Sequence, residues 1–314
     1  MATSLDPRHL FKIHKGVRHE ASKDIYLLMR YPFEIYLGAK ILLGALENSN
    51  SDHHLHIPFS KTGAYDLSTQ VPEEIIKPLI KDGLNSESEQ SVKNQVIKFF
   101  NLALNLGLDE LALSYHNRCF KDEHGDFLDG TSQLYDKVLK QILPEKEGHL
   151  EFKVNNETLK LFRGQEIDVS DDKATGHFLV VKYQSPMNSL NKYSLEDIVK
   201  VTHDHEGRVI SAHPLAVDGI CESCYSLKDI GDNFKKLADL GVDAYELTLR
   251  VPGMFNIIEN SLVAYVVNEL NQSGYNLKLY VNSDAHDLKH MKNLYGTTKV
   301  NVEKFLADMN SYVG

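Results

Sequence analysis

The stretch SDHHLHIPFS, residues 51–60, places His53, His54 and His56 between an aspartate and a proline. In an extended strand His54 and His56 point to one face and His53 to the other. Two imidazoles side by side can ligate one ion. Surface His-x-His pairs are nevertheless common, so the stretch needs partners from elsewhere in the chain. Asp52, just ahead of the pair, is placed to orient a ligand imidazole from behind.

Six further segments read as strands, being apolar or β-branched and bounded by turn residues. With HLHIPF (54–59) they are LALSY (111–115), FRGQEIDV (162–169), FLVVKY (178–183), RVISAH (208–213), AYELTL (244–249) and KLYVNS (278–283). Helical stretches lie between most of them. Val92, Val96, Phe99, Phe100, Ala103 and Leu104 share one helical face. Leu195, Ile198, Val199 and Val201 follow the N-cap candidate Ser194, NFKKLADLGV reads as a helix ended by Gly241, and residues 257–270 read as a long helix. Alternation of strand and helix predicts a mostly parallel sheet. Polar, metal-competent residues sit on or beside these strands, mostly at their C-terminal ends, where the strands of a barrel converge on one site.

Each of these residues has a plainer reading when taken alone. His213, locked by Pro214 after an apolar strand, matches a core histidine bonded to a carbonyl, and His116 repeats that arrangement. Asp284 and His286, two apart after a strand, offer a carboxylate and an imidazole suited to Zn, Mn or Fe, but Ser283 or Asp284 also suits a helix N-cap. Glu166 lies within a strand, where an ionised carboxylate is costly to bury without a cation. Asp168 shares its face and is its rival. His177 precedes a strand and reads equally as a polar loop residue. Together, five or more strand ends carrying His, Glu or Asp are hard to reconcile with plain readings throughout.

The 314 residues, 42 % hydrophobic and 25 % charged, suffice for a single α/β barrel. A net charge of −10 disfavours loose, sequence-independent binding to nucleic acid. Cys119, Cys221 and Cys224 give no disulfide framework and point to a reducing, cytoplasmic setting; the C-x-x-C of the last two lacks nearby partners for a structural zinc. The N-terminus has no signal-peptide core. The apolar run DIYLLMRYPFEIYLGAKILLGALE is interrupted by Arg30, Pro32, Glu34 and Lys40, so it predicts helices packed on the body of the protein rather than a membrane span.

The ordered motifs resemble those of the PHP family, the polymerase and histidinol phosphatase metal-dependent phosphoesterases. DHHLH (52–56) resembles the family's D-x-H-x-H opening, LALSYHN (111–117) its strand ending T-D-H-N, GQEIDV (164–169) its G-x-E-I block, ISAHPL (210–215) its A-H-P block and VNSDAHD (281–287) its closing G-S-D-x-H. The resemblance runs from about residue 52 to about 300 and implies a distorted (β/α)7 TIM-like barrel. Residues 50–314 would form that barrel and residues 1–49 an N-terminal helical extension packed on it. It also implies two or three divalent ions (Mn, Zn or Fe). His54, His56, Glu166 and Asp284 would surround one, and Glu166 would bridge to a second held by His213 and His177. His116 and His286 would reach toward a third. Tyr115 and Ser114 replace the family's aspartate and threonine, Asn282 its common glycine, and Thr62 stands where some members have a histidine. These departures bear on the third ion.

The implied activity is hydrolysis of a phosphoester by metal-activated water. His286 or His116 would donate a proton where not bound to metal, and Arg118 and Arg250 would hold phosphoryl oxygens. The expected substrate is a small phosphorylated molecule. A nuclease acting on nucleic-acid ends is an alternative, as is a catalytically impaired module that binds a protein partner through its N-terminal extension. No G-x-S-x-G, P-loop or G-x-G-x-x-G offers a rival chemistry.

Overall fold

Apolar runs too brief for a helix form the strands, and longer runs with apolar residues three and four apart form the helices between them. The computed structural model describes residues 18–56, 89–116, 135–185, 190, 193–216, 218–249, 254–285 and 288–313. The described strands are β1 (Ser51–Leu55), β2 (Glu110–His116), β3 (Glu145–Lys146), β4 (His149–Val154), β5 (Glu157–Ser170), β6 (Thr175–Val181), β7 (Arg208–Ser211), β8 (Ala244–Thr248) and β9 (Lys278–Asn282). The longer described helices are α1 (Arg18–Arg30), α2 (Pro32–Asn48), α3 (Glu89–Asn105), α4 (Leu195–Asp204), α5 (Leu227–Asp239), α6 (Met254–Gln272) and α7 (Leu288–Val313).

Seven strands, in the order β1-β2-β5-β6-β7-β8-β9, form a sheet curled into a nearly closed, TIM-like barrel. Its two ends meet where Leu55 bridges Ala285 in parallel and the His56 N–H donates to the Ala285 carbonyl at 3.0 Å. The pairs β1–β2, β2–β5, β7–β8 and β8–β9 are parallel, as alternation predicts. β6 departs from it, running antiparallel to both β5 and β7. The cause is local. Asp171 Oδ1 accepts from the N–H groups of Lys173 and Ala174, each at 2.7 Å, and closes a tight turn. A turn that short permits only a hairpin, because a parallel return needs a crossover of a dozen or more residues. A second hairpin, β4–β5, turns on Asn155 and Asn156, both at positive φ, a conformation Asn tolerates. Its Asn-Asn signal stands in the sequence, but β4 was not among the strands expected from it. β1 begins at Ser51 rather than His54.

The barrel interior is filled by Ala112, Leu179, Val181, Ile210, Ala212 and Ala244, with Phe162 and Tyr280 packed against them. Outside, one apolar layer joins strand residues such as Ile167, Val180 and Tyr245 to Ile198 of α4, Phe234 of α5 and Leu262 of α6. Val96, Phe99, Phe100 and Ala103 of α3 are buried in a second layer, against Leu111 and Leu161. Ser194 caps α4 by accepting from the Asp197 N–H, and Gly241 takes the positive φ that follows α5. None of the described helices is long and apolar enough to cross a membrane.

Pro32 splits the apolar N-terminal run into α1 and α2, sitting in the first turn of α2 where its missing N–H costs nothing. Leu27, Ile35, Ala39 and Leu42 of these helices are buried in the same layer as the barrel's outer residues. α2 lies so close to α6 that a Cβ on Gly38 would stand 1.8 Å from the Ser261 carbonyl oxygen. Gly38→Ala should therefore lower stability in urea denaturation by about 1–3 kcal/mol. Gly44→Ala, in the same helix with nothing within 4 Å of the added atom, should instead add about 0.5–1 kcal/mol.

Candidate metal centre

Five strands deliver ionisable side chains to one mouth of the barrel. β1 carries His54 and leads into His56, β5 carries Glu166, and β6 carries His177 near its start. His213 and Asp284 follow β7 and β9. The reversal of β6 places its N-terminal end beside the C-terminal ends of its neighbours, and the β5–β6 register sets His177 opposite Asp168. That is why His177, expected just before its strand but lying near the start of β6, reaches the same rim.

Two groups of donor atoms result, His54, His56 and Asp284 in one and Glu166, His177 and His213 in the other; within each, the atoms lie within 4.8 Å of one another. In the first, Asp284 Oδ1 lies 3.4 Å from His54 Nε2 and 3.2 Å from His56 Nε2. Glu166 joins the groups. Its Oε2 is 3.3 Å from both His54 Nε2 and His56 Nε2, while its Oε1 is 2.9 Å from His177 Nδ1 and 3.4 Å from His213 Nε2. Asp168 lies outside this bridge, 2.8 Å from the far nitrogen of His177.

The electrostatics suit a cation. Glu166 is only 2 % exposed and Asp284 4 %, so their ionised forms require positive charge nearby. Burial alone would favour neutral Asp284, but His54 and His56 outweigh it and hold its carboxyl well below the usual range. Burial likewise opposes charge on His54, yet Glu246, Asp284 and Glu166 raise its pKa well above the ordinary imidazole value. His56 is raised in the same manner by Asp284 and Glu166. For His177, burial is overcome by hydrogen bonds to Asp168 and Glu166, which lift it to about 10. His54 Nε2 is fully buried and, among the described residues, has no well-aligned hydrogen bond, although two carboxylates face it. A divalent ion among these atoms would take the place of the protons. The donors, imidazole nitrogen and carboxylate oxygen, fit Zn, Mn or Fe without selecting among them.

Glu246, mid-strand in β8 and fully buried, is the residue that sequence reasoning missed. Its Oε1 lies 2.8 Å from His54 Nδ1 and accepts from the Asn282 side-chain amide at 3.0 Å. Its Oε2 accepts from the His213 backbone N–H at 2.6 Å. A proton held on Nδ1 leaves Nε2 of His54 facing the cluster. The signal that singled out Glu166, an ionisable residue inside an apolar strand, was equally present in AYELTL. Asp52 does not orient an imidazole. Its carboxylate accepts from the backbone N–H groups of His54 and Ser283, tying β1 to the end of β9. Burial raises its pKa to about 6.

Strict alternation fails in β1, where the pairing register with β2 shifts between Asp52 and Leu55. The His53 ring packs edge-on against Tyr280 at 4.8 Å, one layer below the cluster and not on an outer face. His116 ends β2 in register with Glu166, and its side chain lies outside the described residues. His286, Arg118 and Arg250 also lie outside them. Cys221 and Cys224 are buried free thiols and belong to neither donor group. His213 and Asp284 both hold positive φ, at 25° and 49°, a strained state for residues with side chains.

No protein-family model matches the chain, and no curated protein matches it. Among solved structures, it is similar to Endonuclease Q in complex with a 27-mer duplex substrate bearing an abasic lesion at the active site. The identity is 16 % and the TM-score 0.32, over 65 % of this chain and 43 % of that one. The chain thus spans less than half the length of that neighbour, and a likeness at this level bears on neither mechanism nor substrate.

Because imidazoles with raised pKa values must lose protons to bind metal, Mn²⁺ binding should release protons near neutral pH and weaken as pH falls. Calorimetry in buffers of different ionisation enthalpy would measure the release; an enthalpy independent of buffer would contradict it. Glu246→Gln, which removes the charge that holds the proton on His54, should weaken metal affinity about 10–100-fold, as read by competition with a chromogenic chelator.

Proposed function

We propose that this chain is a metal-dependent phosphoester hydrolase of the PHP type, acting on a small phosphorylated substrate such as a nucleotide or sugar phosphate. The observation that carries this reading is the position of Glu166, whose two carboxylate oxygens face different donor groups at the barrel mouth. A carboxylate so placed is suited to join two cations. Divalent ions held there would neutralise charge on phosphoryl oxygens and lower the pKa of water at neutral pH.

The chain's own residues then divide the work. His54, His56 and Asp284 would hold one ion, His177 and His213 the other, with Glu166 common to both. Glu246 fixes the ring of His54 through Nδ1, and Asp168 contacts the outer nitrogen of His177. His116 and His286 would donate a proton to the leaving oxygen or hold a third ion, and Arg118 and Arg250 would contact the phosphoryl group. The net charge of −10 favours a small substrate over a long polyanion, whose binding gains from extended basic surfaces.

The test is a panel of mononucleotides, sugar phosphates and end-labelled oligonucleotides incubated with Mn²⁺. Turnover of the small esters is expected, with loss of at least about 100-fold in His54→Ala, a change that removes one ligand of a metal-assisted reaction. Preferential shortening of the oligonucleotides would move the assignment to a nuclease. No turnover of any ester by metal-loaded protein, with partner binding intact, would leave a binding module.

A further inference from the structure

The second donor group depends on a loop that the barrel alone does not hold. His213 opens a compact series of turns reaching Cys224. Its carbonyl accepts from Ala216, the Pro214 carbonyl accepts from Cys221, and the Gly219 carbonyl accepts from Glu222. Gly219 sits so near His213 that a Cβ there would lie 2.2 Å from the His213 carbonyl oxygen. The loop also serves His177, whose backbone N–H donates to the Asp218 carbonyl at 3.0 Å. His213 itself takes a positive φ directly before a proline, a conformation that persists only where surroundings enforce it.

One side chain from outside the barrel reaches into this loop. Lys23, in α1, is 3 % exposed. Its Nζ donates to the carbonyls of Leu215 at 2.8 Å, Glu222 at 3.0 Å and Cys221 at 3.3 Å. An ammonium has three N–H donors, and here each has a backbone acceptor in the loop, at both its beginning and its end. The strand ends that carry His54, His56 and Asp284 are held instead by the β1–β9 closure through Asp52 and Asn282.

We infer that Lys23 is a positioning residue for the second metal site, pinning the His213–Glu222 loop so that His213 and His177 face Glu166. The N-terminal helices would then be part of the metal centre rather than an appendage to it. The inference rests on the two-cation reading above and adds an asymmetry that reading does not require. Removing the ammonium should loosen one group of ligands and spare the other. A lysine that merely stabilised the fold would affect both alike.

The experiment is a titration of full-length protein with Mn²⁺, following the free ion by its EPR signal, for wild type, Lys23→Met, His213→Ala and His56→Ala. Two equivalents are expected in wild type. In Lys23→Met one equivalent should weaken by about 10–100-fold, the range for residues that orient metal ligands, while the other stays in place, matching His213→Ala and not His56→Ala. The retained equivalent is the internal control for folding. Two equivalents bound by Lys23→Met as tightly as by wild type would overturn the inference and leave the metal centre standing. Equal loss of both would overturn it too, as a general effect on the fold. Fewer than two equivalents in wild type would overturn the two-cation reading and this inference with it.

Discussion

A carboxylate buried to 2 % exposure among imidazoles from three strands or their ends is the constraint on which the structure turns. Glu166 could have been a liability, since an ionised group out of water costs several kcal/mol unless paired. Here its two oxygens face two sets of donors, and each set brings partners whose charge depends on the carboxylates around them. The raised pKa values of His54, His56 and His177 and the lowered one of Asp284 express one fact from opposite sides. The mouth carries negative charge that calls for a cation or for protons.

The fold supplies this convergence by two departures from a regular barrel. One is the reversed strand β6, imposed by a turn too short for a crossover and bringing His177 to the rim by its N-terminal end. The other is the closure of β1 on the chain after β9. Asp52, Ser283, Leu55 and Ala285 stitch the two ends together through backbone bonds, and His54, His56 and Asp284 lie at that seam. Glu246 then ties β8 to three neighbours at once, through the ring of His54, the amide of Asn282 and the backbone of His213. Both oxygens of Glu246 are thus partnered, which fixes the ring of His54 with its Nε2 turned toward Glu166 and Asp284.

Much of this was legible in the linear chain, because strand periodicity is local. The apolar runs gave their own spacing, and the ionisable residues among them could be read off directly. Six of these, His54, His56, Glu166, His177, His213 and Asp284, meet in the two donor groups. Glu166 and Asp168 share a strand face and remained rivals in the sequence. Distance separates them, since only Glu166 lies within reach of both groups. The Asn-Asn turn before β5 was also visible and went unused.

What the sequence determined by itself was the set of strands that build the barrel and the ionisable residues beside them, because both depend on side-chain chemistry and on spacing of a few residues. Tertiary structure alone decided which of those residues touch, since that depends on strand direction, register and one bulge. The shift in β1 turned His53 inward toward Tyr280, against the alternation a regular strand would keep. Lys23 and Glu246 gained their places from contacts with residues nearly 200 positions away. No local pattern encodes such a contact, because it exists only once the barrel has closed and its helices have packed.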